Sequence, residues 1–185
     1  MTFIGSRAAT MSEATDTRVL WKRLETWLAG HDPARLADLN PPASESAVRE
    51  LERVLGVALP AGFSDCLKVH DGQRGQAGAL FDGNQFLPIR HIAMSWSSWT
   101  ELLDDGDFDG RVARPDAGIR EGWWQRGWVP FASNGGGDYL CLDMVPAAQG
   151  RVGQVIEVLH DVPQRVLVAP SFAAWFGDFI HRKTV

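Results

Sequence analysis

The sequence predicts an α+β fold, in which N-terminal helices precede a central, mainly antiparallel sheet and a C-terminal helix closes the domain. Three observations support this prediction. Apolar residues recur at helical spacing over the first third of the chain. The middle holds short β-rich segments separated by Gly, Asp and Asn. Helical spacing then returns after Pro170.

The first third of the chain predicts three helices, each bounded by residues that typically start or stop a helix. Asp16 or Thr17 can cap the first helix. Ser44 can cap the second, and Pro60 can open the third. The glycines expected to end the three helices are Gly30, Gly56 and Gly72.

The rest of the chain predicts a sheet with two more helices. Asp82–Gly83–Asn84 is typical of a hairpin turn between 79–81 and 86–89. A helix is expected from Ser95, and the segment 104–127 is rich in Gly and Asp, which predicts a long surface loop. The remaining strands are predicted at 128–132, 139–143, 152–159 and 166–169. Ser171 can cap the closing helix.

The predicted organisation is a single domain over 18–185, preceded by a flexible tail over 1–17. The tail is small and polar, and its apolar content is too thin for a signal peptide, so we expect a cytoplasmic protein. No run of the chain approaches the roughly 18 apolar residues that cross a bilayer. We therefore expect no membrane association.

The amino-acid composition limits the kinds of partner that we expect the protein to bind. Lys and Arg number 18 against 23 Asp and Glu, giving a formal charge of −5, so the chain lacks the basic footprint of a general nucleic-acid binder. An acidic protein instead attracts a basic partner. The two cysteines, Cys66 and Cys141, are too few for a four-cysteine zinc site, and both stand in apolar contexts.

Three stretches carry a resemblance to a known family: 41–72, 122–161 and 169–180. The first contains a Leu-Gly-x-x-Leu-Pro turn at 55–60 and ends in His70-Asp71-Gly72. The second contains Trp-x-Pro-Phe at 128–131 and the pairs Gly137-Asp138 and Leu142-Asp143, followed by Gly-Gln-Val at 153–155. Together they resemble the SUKH superfamily, and within it the family of fungal cell-wall-assembly regulators and their bacterial relatives.

The resemblance covers about 18–182 and implies a protein-binding domain and not an enzyme. Many bacterial members are inferred to be immunity proteins, so our leading expectation is an immunity protein that binds and occludes a cytosol-acting protein toxin. The alternative is a regulator or scaffold in cell-wall synthesis or signalling. Neither implies a cofactor.

Candidate catalytic and metal sites are weak. The chain has no Gly-x-Ser-x-Gly elbow and no His-Glu-x-x-His motif. Cys66 and His70 lie four residues apart, but no second pair joins them, so we expect a core thiol beside a partly buried imidazole.

Calcium is the sharper alternative, because acids, Gly and an aliphatic residue fall where a calcium loop has them, over the segment Asp105–Asp116. Against it, the last ligand position holds Asp rather than the longer Glu, and Pro115 and Gly118 would break the helix that should follow. We therefore predict a solvated acidic loop and no metal requirement.

That loop supplies the candidate partner-binding residues. The run of acids contains no basic residue and would suit a basic partner. Trp123 and Trp124 lie in a Gly-flanked loop, where they could either pack the loop on the sheet or remain partly exposed and anchor a partner. The predicted partner-binding residues are Asp104, Asp105, Asp107, Asp109, Trp123 and Trp124.

Overall fold

The computed structural model of the protein describes residues 16–185. All but the last two residues of the predicted tail lie outside the described residues. Asp16 caps the first helix by accepting a hydrogen bond from the Arg18 backbone N–H at 2.9 Å. Thr17 is buried and donates to the Gly62 carbonyl at 3.3 Å. The described fold therefore includes these two residues, which the sequence assigns to the tail.

The described chain is α+β, as predicted, and its elements alternate little between the two types. The helices are α1 Thr17–His31, α2 Pro33–Ala37, α3 Glu45–Leu55, α4 Ala61–Leu67, α5 Ile89–Asp104 and α6 Phe172–Thr184. The strands are β1 Gln85–Phe86, β2 Arg114–Pro115, β3 Trp128–Ser133, β4 Tyr139–Asp143, β5 Gln154–Val158 and β6 Gln164–Ala169. The sheet order is β1-β3-β4-β5-β6-β2, and only the β2–β6 pair is parallel.

Local sequence signals set most helix ends. Ser44 accepts from the Ala47 N–H at 3.1 Å and begins α3, and Ser171 does the same for α6 through Ala174 at 3.2 Å. Gly56 ends α3 with φ of 69°, a left-handed conformation that costs a glycine little. These three predicted boundaries are confirmed.

Other predicted boundaries are wrong because distant contacts override local preference. Phe81 and Asn84 pair across the predicted Asp82–Gly83 turn, but the flanking strands do not pair with each other, because β1 pairs with β3 instead. Helix α4 ends at Leu67, five residues before Gly72. Helix α5 begins at Ile89 instead of Ser95, because the Asp71 carboxylate accepts from the Ile89 N–H at 2.7 Å. Helix α2 is not predicted by the sequence pattern.

The sheet is buried on both faces, since residues along each central strand alternate between two apolar clusters. The first cluster lies under α1, α4 and α6 and contains Trp21, Phe63 and Phe176. The second lies on the opposite face and contains Trp99, Trp124, Trp128, Cys141 and Ile156, among others. Among the described helices only α5 contributes to it, and residues 104–127, here named the covering segment, complete it. The predicted surface loop is thus partly a layer of the core.

Candidate functional site

The acidic segment, residues 104–109, is formed by the last residue of α5 and the turns that follow it. All four of its aspartates are exposed. Gly106 and Gly110, with φ of 80° and 77°, allow the chain to turn twice within five residues. The backbone N–H groups of Asp107 and Asp109 bond to the carbonyls of Leu102 and Gly106 at 3.0 and 2.9 Å. The segment therefore presents its carboxylates from hydrogen-bonded turns.

An aromatic stack fixes this segment to the domain. The Phe108 ring stacks on Trp99 of α5, with centroids 5.4 Å apart and planes at 28°. Trp99 in turn contacts Trp124, with centroids 5.1 Å apart. Since such pairs add about 0.5–1.5 kcal/mol each to ordinary burial, the segment is anchored by its own phenylalanine.

The charge of the segment is only partly free. Asp104 forms an ion pair with Arg126, so the expectation that no basic residue compensates it is wrong. Arg126 was missed because it lies 22 positions further along the chain and approaches only when the covering segment folds back. Within residues 16–185, no Lys, Arg or His lies within ion-pair distance of Asp105, Asp107 or Asp109. Three exposed carboxylates therefore remain available.

Trp123 and Trp124 are buried, at 8% and 1% exposed. The expectation of partly exposed rings is wrong, because the covering segment folds over the sheet instead of standing in solvent. The Trp124 Nε1–H donates to Thr100 Oγ1 at 3.3 Å, and its ring meets Trp128 edge-on at 5.9 Å. Of the two uses that the sequence leaves open for these rings, packing of the loop on the sheet is the one observed. Their predicted role as partner anchors was argued from exposed rings, and that argument no longer applies.

Arg165 holds the covering segment in place, and sequence reasoning missed it. Its side chain is fully buried in β6 and donates twice to the Trp123 carbonyl, at 3.2 and 2.7 Å. The same guanidinium stacks on the Trp123 ring at 4.7 Å, while Arg111 covers the ring at 4.8 Å. Burial lowers the pKa of Arg165 to about 10. The sequence does contain a signal for this role. Arg165 lies one residue before the predicted start of an apolar strand, where a charged side chain is unexpected.

A buried polar network joins the covering segment to the sheet and explains two residues of the family resemblance. The Asp143 carboxylate accepts from Gln154 Nε2 at 2.8 Å and from the Val145 N–H at 3.0 Å. Gln154 Nε2 also donates to the Gly118 carbonyl at 2.9 Å. Burial raises the pKa of Asp143, and the hydrogen bonds offset only part of that rise. These hydrogen bonds link the covering segment to strands β4 and β5.

The calcium alternative is not supported by the arrangement of its ligands. Asp116 would be the twelfth residue of the loop, but its carboxylate accepts from the Leu167 N–H of β6 at 2.9 Å. The residues before it, Arg114–Pro115, form strand β2 where a calcium loop would lead into a helix. Asp116 is thus directed at the sheet edge.

The other sequence candidates serve the fold. Cys66 accepts from the Trp21 indole at 3.2 Å, and burial raises the pKa of its thiol. His70 contacts the Asn40 carbonyl and the Glu25 carboxylate, both at 2.8 Å, so the Cys66–His70 spacing does not make a metal pair.

A cluster of Asp138, His160 and Asp161 places three potential ligand atoms within 4.8 Å of one another at the ends of two hairpins. His160 Nδ1 lies 2.9 Å from the Asp138 carboxylate, which also accepts from the His160 N–H at 3.0 Å and from Asn134. The hydrogen bond to Asp138 raises the pKa of His160. Partial burial would raise the pKa of Asp138, but these hydrogen bonds hold it below its ordinary value. An ion pair between the hairpins accounts for the cluster.

Among residues 16–185, no helix has the length and apolar character that a membrane span requires.

Comparison with known proteins identifies a family and several relatives that this chain resembles. The model of the SMI1 / KNR4 family (SUKH-1) matches residues 42–178. The chain is similar to the cell wall biosynthesis/cell cycle regulator smi1 of Schizosaccharomyces pombe, at 28% identity over 83% of this chain and 33% of the relative. It is also similar to the cell wall assembly regulator SMI1 of Saccharomyces cerevisiae, at 20% identity over 89% of this chain and 40% of the relative.

A glucan synthesis regulatory protein of Neurospora crassa is 21% identical over 83% of this chain and 36% of its own length. The chain thus spans about a third of the length of the curated relatives it matches. Because the family model covers well over half of the sequence, the predicted resemblance is confirmed, and the chain belongs to the SMI1/KNR4 (SUKH-1) family.

Proposed function

We propose that this chain is a non-enzymatic protein-binding domain with a regulatory or scaffolding role in cell-wall synthesis or the signalling that controls it. The sequence led us to expect toxin immunity first and a wall-synthesis or signalling role as the alternative. We now propose that alternative. The relatives described above are named as regulators of wall assembly and glucan synthesis, which supports the alternative. No finding supports toxin immunity. The role of those longer proteins is carried to this chain as part of the proposal.

One observation carries the binding part of the proposal: an anchored segment presents three carboxylates that form no ion pair within residues 16–185. Asp105, Asp107 and Asp109 are exposed, and Phe108 between them stacks on Trp99. Holding a charged segment in place before contact lowers the entropy cost of binding. Its negative charge speeds the approach of a basic partner and makes association sensitive to salt. We therefore propose that the partner binds to the acidic segment. Trp123 and Trp124 are buried, so they are not part of the proposed contact surface.

The non-enzymatic part rests on how the candidate catalytic groups are used. His70 is engaged by Asn40 and Glu25, and Asp71 accepts the first N–H of α5. A general base needs a free acceptor atom beside a substrate, and both ring nitrogens of His70 are already engaged. Both cysteines are free buried thiols, as is usual in a reducing compartment, so the proposal places the protein in the cytoplasm.

The test compares two triple variants of the full chain. The first is Asp105→Asn, Asp107→Asn, Asp109→Asn. The control makes the same charge change at exposed acids elsewhere: Glu45→Gln, Glu50→Gln, Asp178→Asn. Proteins that bind immobilised wild type in an extract of the source organism are identified by mass spectrometry and compared with those bound by each variant.

We expect a basic wall-synthesis or signalling protein to be retained by wild type and by the control but lost from the acidic-segment variant. With that partner purified, surface kinetics at two salt concentrations should give association slowed by about tenfold at low salt and a nearly unchanged dissociation rate. Equal binding by the two triple variants would place the interface elsewhere. A captured toxin would favour immunity instead.

A further inference from the structure

Helix α1 carries a second stripe of residues that the fold does not bury. Its core stripe contains Leu20, Leu24 and Leu28. Val19, Arg23 and Thr26 follow the same helical spacing on another face, and they are exposed. This stripe and the end of α6 border a shallow groove that is open to solvent, with a volume of about 560 Å³. The basic groove, as we name it, is lined by Val19, Lys22, Arg23, Thr26, Trp27, His31 and Thr184.

The wall of the groove is apolar and partly aromatic. Trp27 is half-buried, and its ring stacks on His31 with centroids 4.8 Å apart and planes at 7°. Val19 is 55% exposed and adds an aliphatic surface beside the indole. A flat indole beside an exposed valine suits an apolar side chain of a partner.

The charge of the groove is opposite in sign to that of the whole protein. Lys22 and Arg23 lie on its rim, and no Asp or Glu is among its lining residues. Neither cation has a carboxylate within ion-pair distance in the part of the chain that the structure describes. Arg23 is held over the groove because its Nη2 donates to Thr184 Oγ1 of α6 at 3.0 Å. The groove therefore presents two positive charges, and no acidic residue lies among those that line it.

We propose that the basic groove binds an acidic segment of a partner protein, with an apolar side chain seated against Trp27 and carboxylates on Lys22 and Arg23. Charge complementarity selects this occupant. The two cations are too few for a nucleic-acid backbone, whose binding needs many phosphate contacts. This surface is distinct from the acidic segment, so it goes beyond the function proposed above and would let one domain contact two partners of opposite charge.

The probe is a fluorescein-labelled peptide of sequence DELDEFLDE, titrated with the full chain and followed by fluorescence anisotropy. Its matched probe replaces every Asp by Asn and every Glu by Gln. The groove variant is Lys22→Glu with Arg23→Glu. The control variant, Arg151→Glu with Arg74→Glu, makes the same charge change at exposed residues outside the groove. Since all four residues are exposed, thermal melts should confirm that both variants fold.

We expect saturable binding of the acidic peptide to wild type and to the control variant. The groove variant should bind at least about tenfold more weakly, because two attractive contacts become repulsive. Trp27→Leu should weaken binding while leaving its salt dependence unchanged, which separates the apolar contact from the charge. The acidic-segment variant described above should bind the peptide at least as well as wild type, so this test is independent of the earlier proposal.

Three results would overturn the proposal: no saturation with wild type, equal binding of the acidic and neutral peptides, or equal binding by the groove and control variants. Sedimentation of the chain alone checks for a second copy as occupant. A dimer that the groove variant abolishes, with no binding of the peptide to wild type, would replace a partner segment by self-association.

Discussion

Replacing Trp124 by alanine tests whether the covering segment is a layer of the core. The indole is 1% exposed and contacts both Trp99 and Trp128. Truncating a buried Trp or Phe to alanine costs about 3–5 kcal/mol of stability. The two aromatic pairs and the bond to Thr100 place Trp124→Ala at about 4 kcal/mol, within that range. The covering segment should lose most of its hold on the sheet.

In a domain of this size, each kcal/mol lowers the melting temperature by about 2–4 °C, so the variant should melt about 8–16 °C below wild type. Differential scanning calorimetry and urea unfolding measure the loss of stability. Trp124→Phe keeps a ring in place and should lose about half as much. Asp107→Asn, in the same segment but exposed, should melt within about 2 °C of wild type.

A Trp124→Ala protein that melts like wild type would refute this account. The ring would then not be in the core, and an exposed partner anchor, as the sequence suggested, would regain its basis. Destabilisation by Trp124→Ala has a practical consequence as well. Faster dissociation of this variant from a partner would report loosening of the segment and not the removal of a side chain that touches the partner.

Two further predictions concern the backbone and pH. Gly72 has φ of 66°, and a Cβ there would lie 2.3 Å from the Pro88 nitrogen, whereas Gly56 has φ of 69° and open space. By urea unfolding, Gly56→Ala should cost about 1 kcal/mol and Gly72→Ala more than about 3 kcal/mol, and equal costs would contradict the predicted clash. The raised pKa of His160 means that its ion pair stabilises the fold below the ordinary histidine pKa and is lost as pH rises through the folded-state pKa. The lowered pKa of Asp138 means that the same pair is lost in acid, as pH falls through its folded-state pKa. His160→Gln should therefore flatten the pH dependence of the melting temperature as pH rises from the ordinary histidine pKa; an unchanged profile would show that the pair contributes nothing.

Signals that act within a few residues were enough to predict much of the fold. Ser44, Gly56 and Ser171 set helix ends through bonds or dihedral angles of their own neighbourhood. Strand β4 was predicted at 139–143, its observed span, and β3 at all but its last residue. These strands are read correctly because their residues are apolar on both faces and are bounded by turn residues.

The environment of the candidate site could not be predicted in the same way, because contacts across the chain determine it. Trp123 is buried by Arg165, which lies 42 positions away. Asp104 is paired by Arg126, and β1 joins β3 and not its neighbour in sequence. Nothing near these residues in the sequence shows such partners. The exposure of Asp105 was predictable, because a run of charges rarely finds a buried place.

The buried guanidinium of Arg165 should make the covering segment less stable than the rest of the fold. Its donors meet only backbone carbonyls, with no carboxylate within ion-pair distance in residues 16–185. Opening the segment would return this cation to water, and its hydration offsets part of the free energy needed to expose the apolar rings. The covering segment should therefore open as a separate cooperative unit, before the helices over the other face unfold. Its amides would then exchange with solvent deuterium at a lower free energy than those of α1 and α6, and Trp123 and Trp124 would reach solvent only in that transient state.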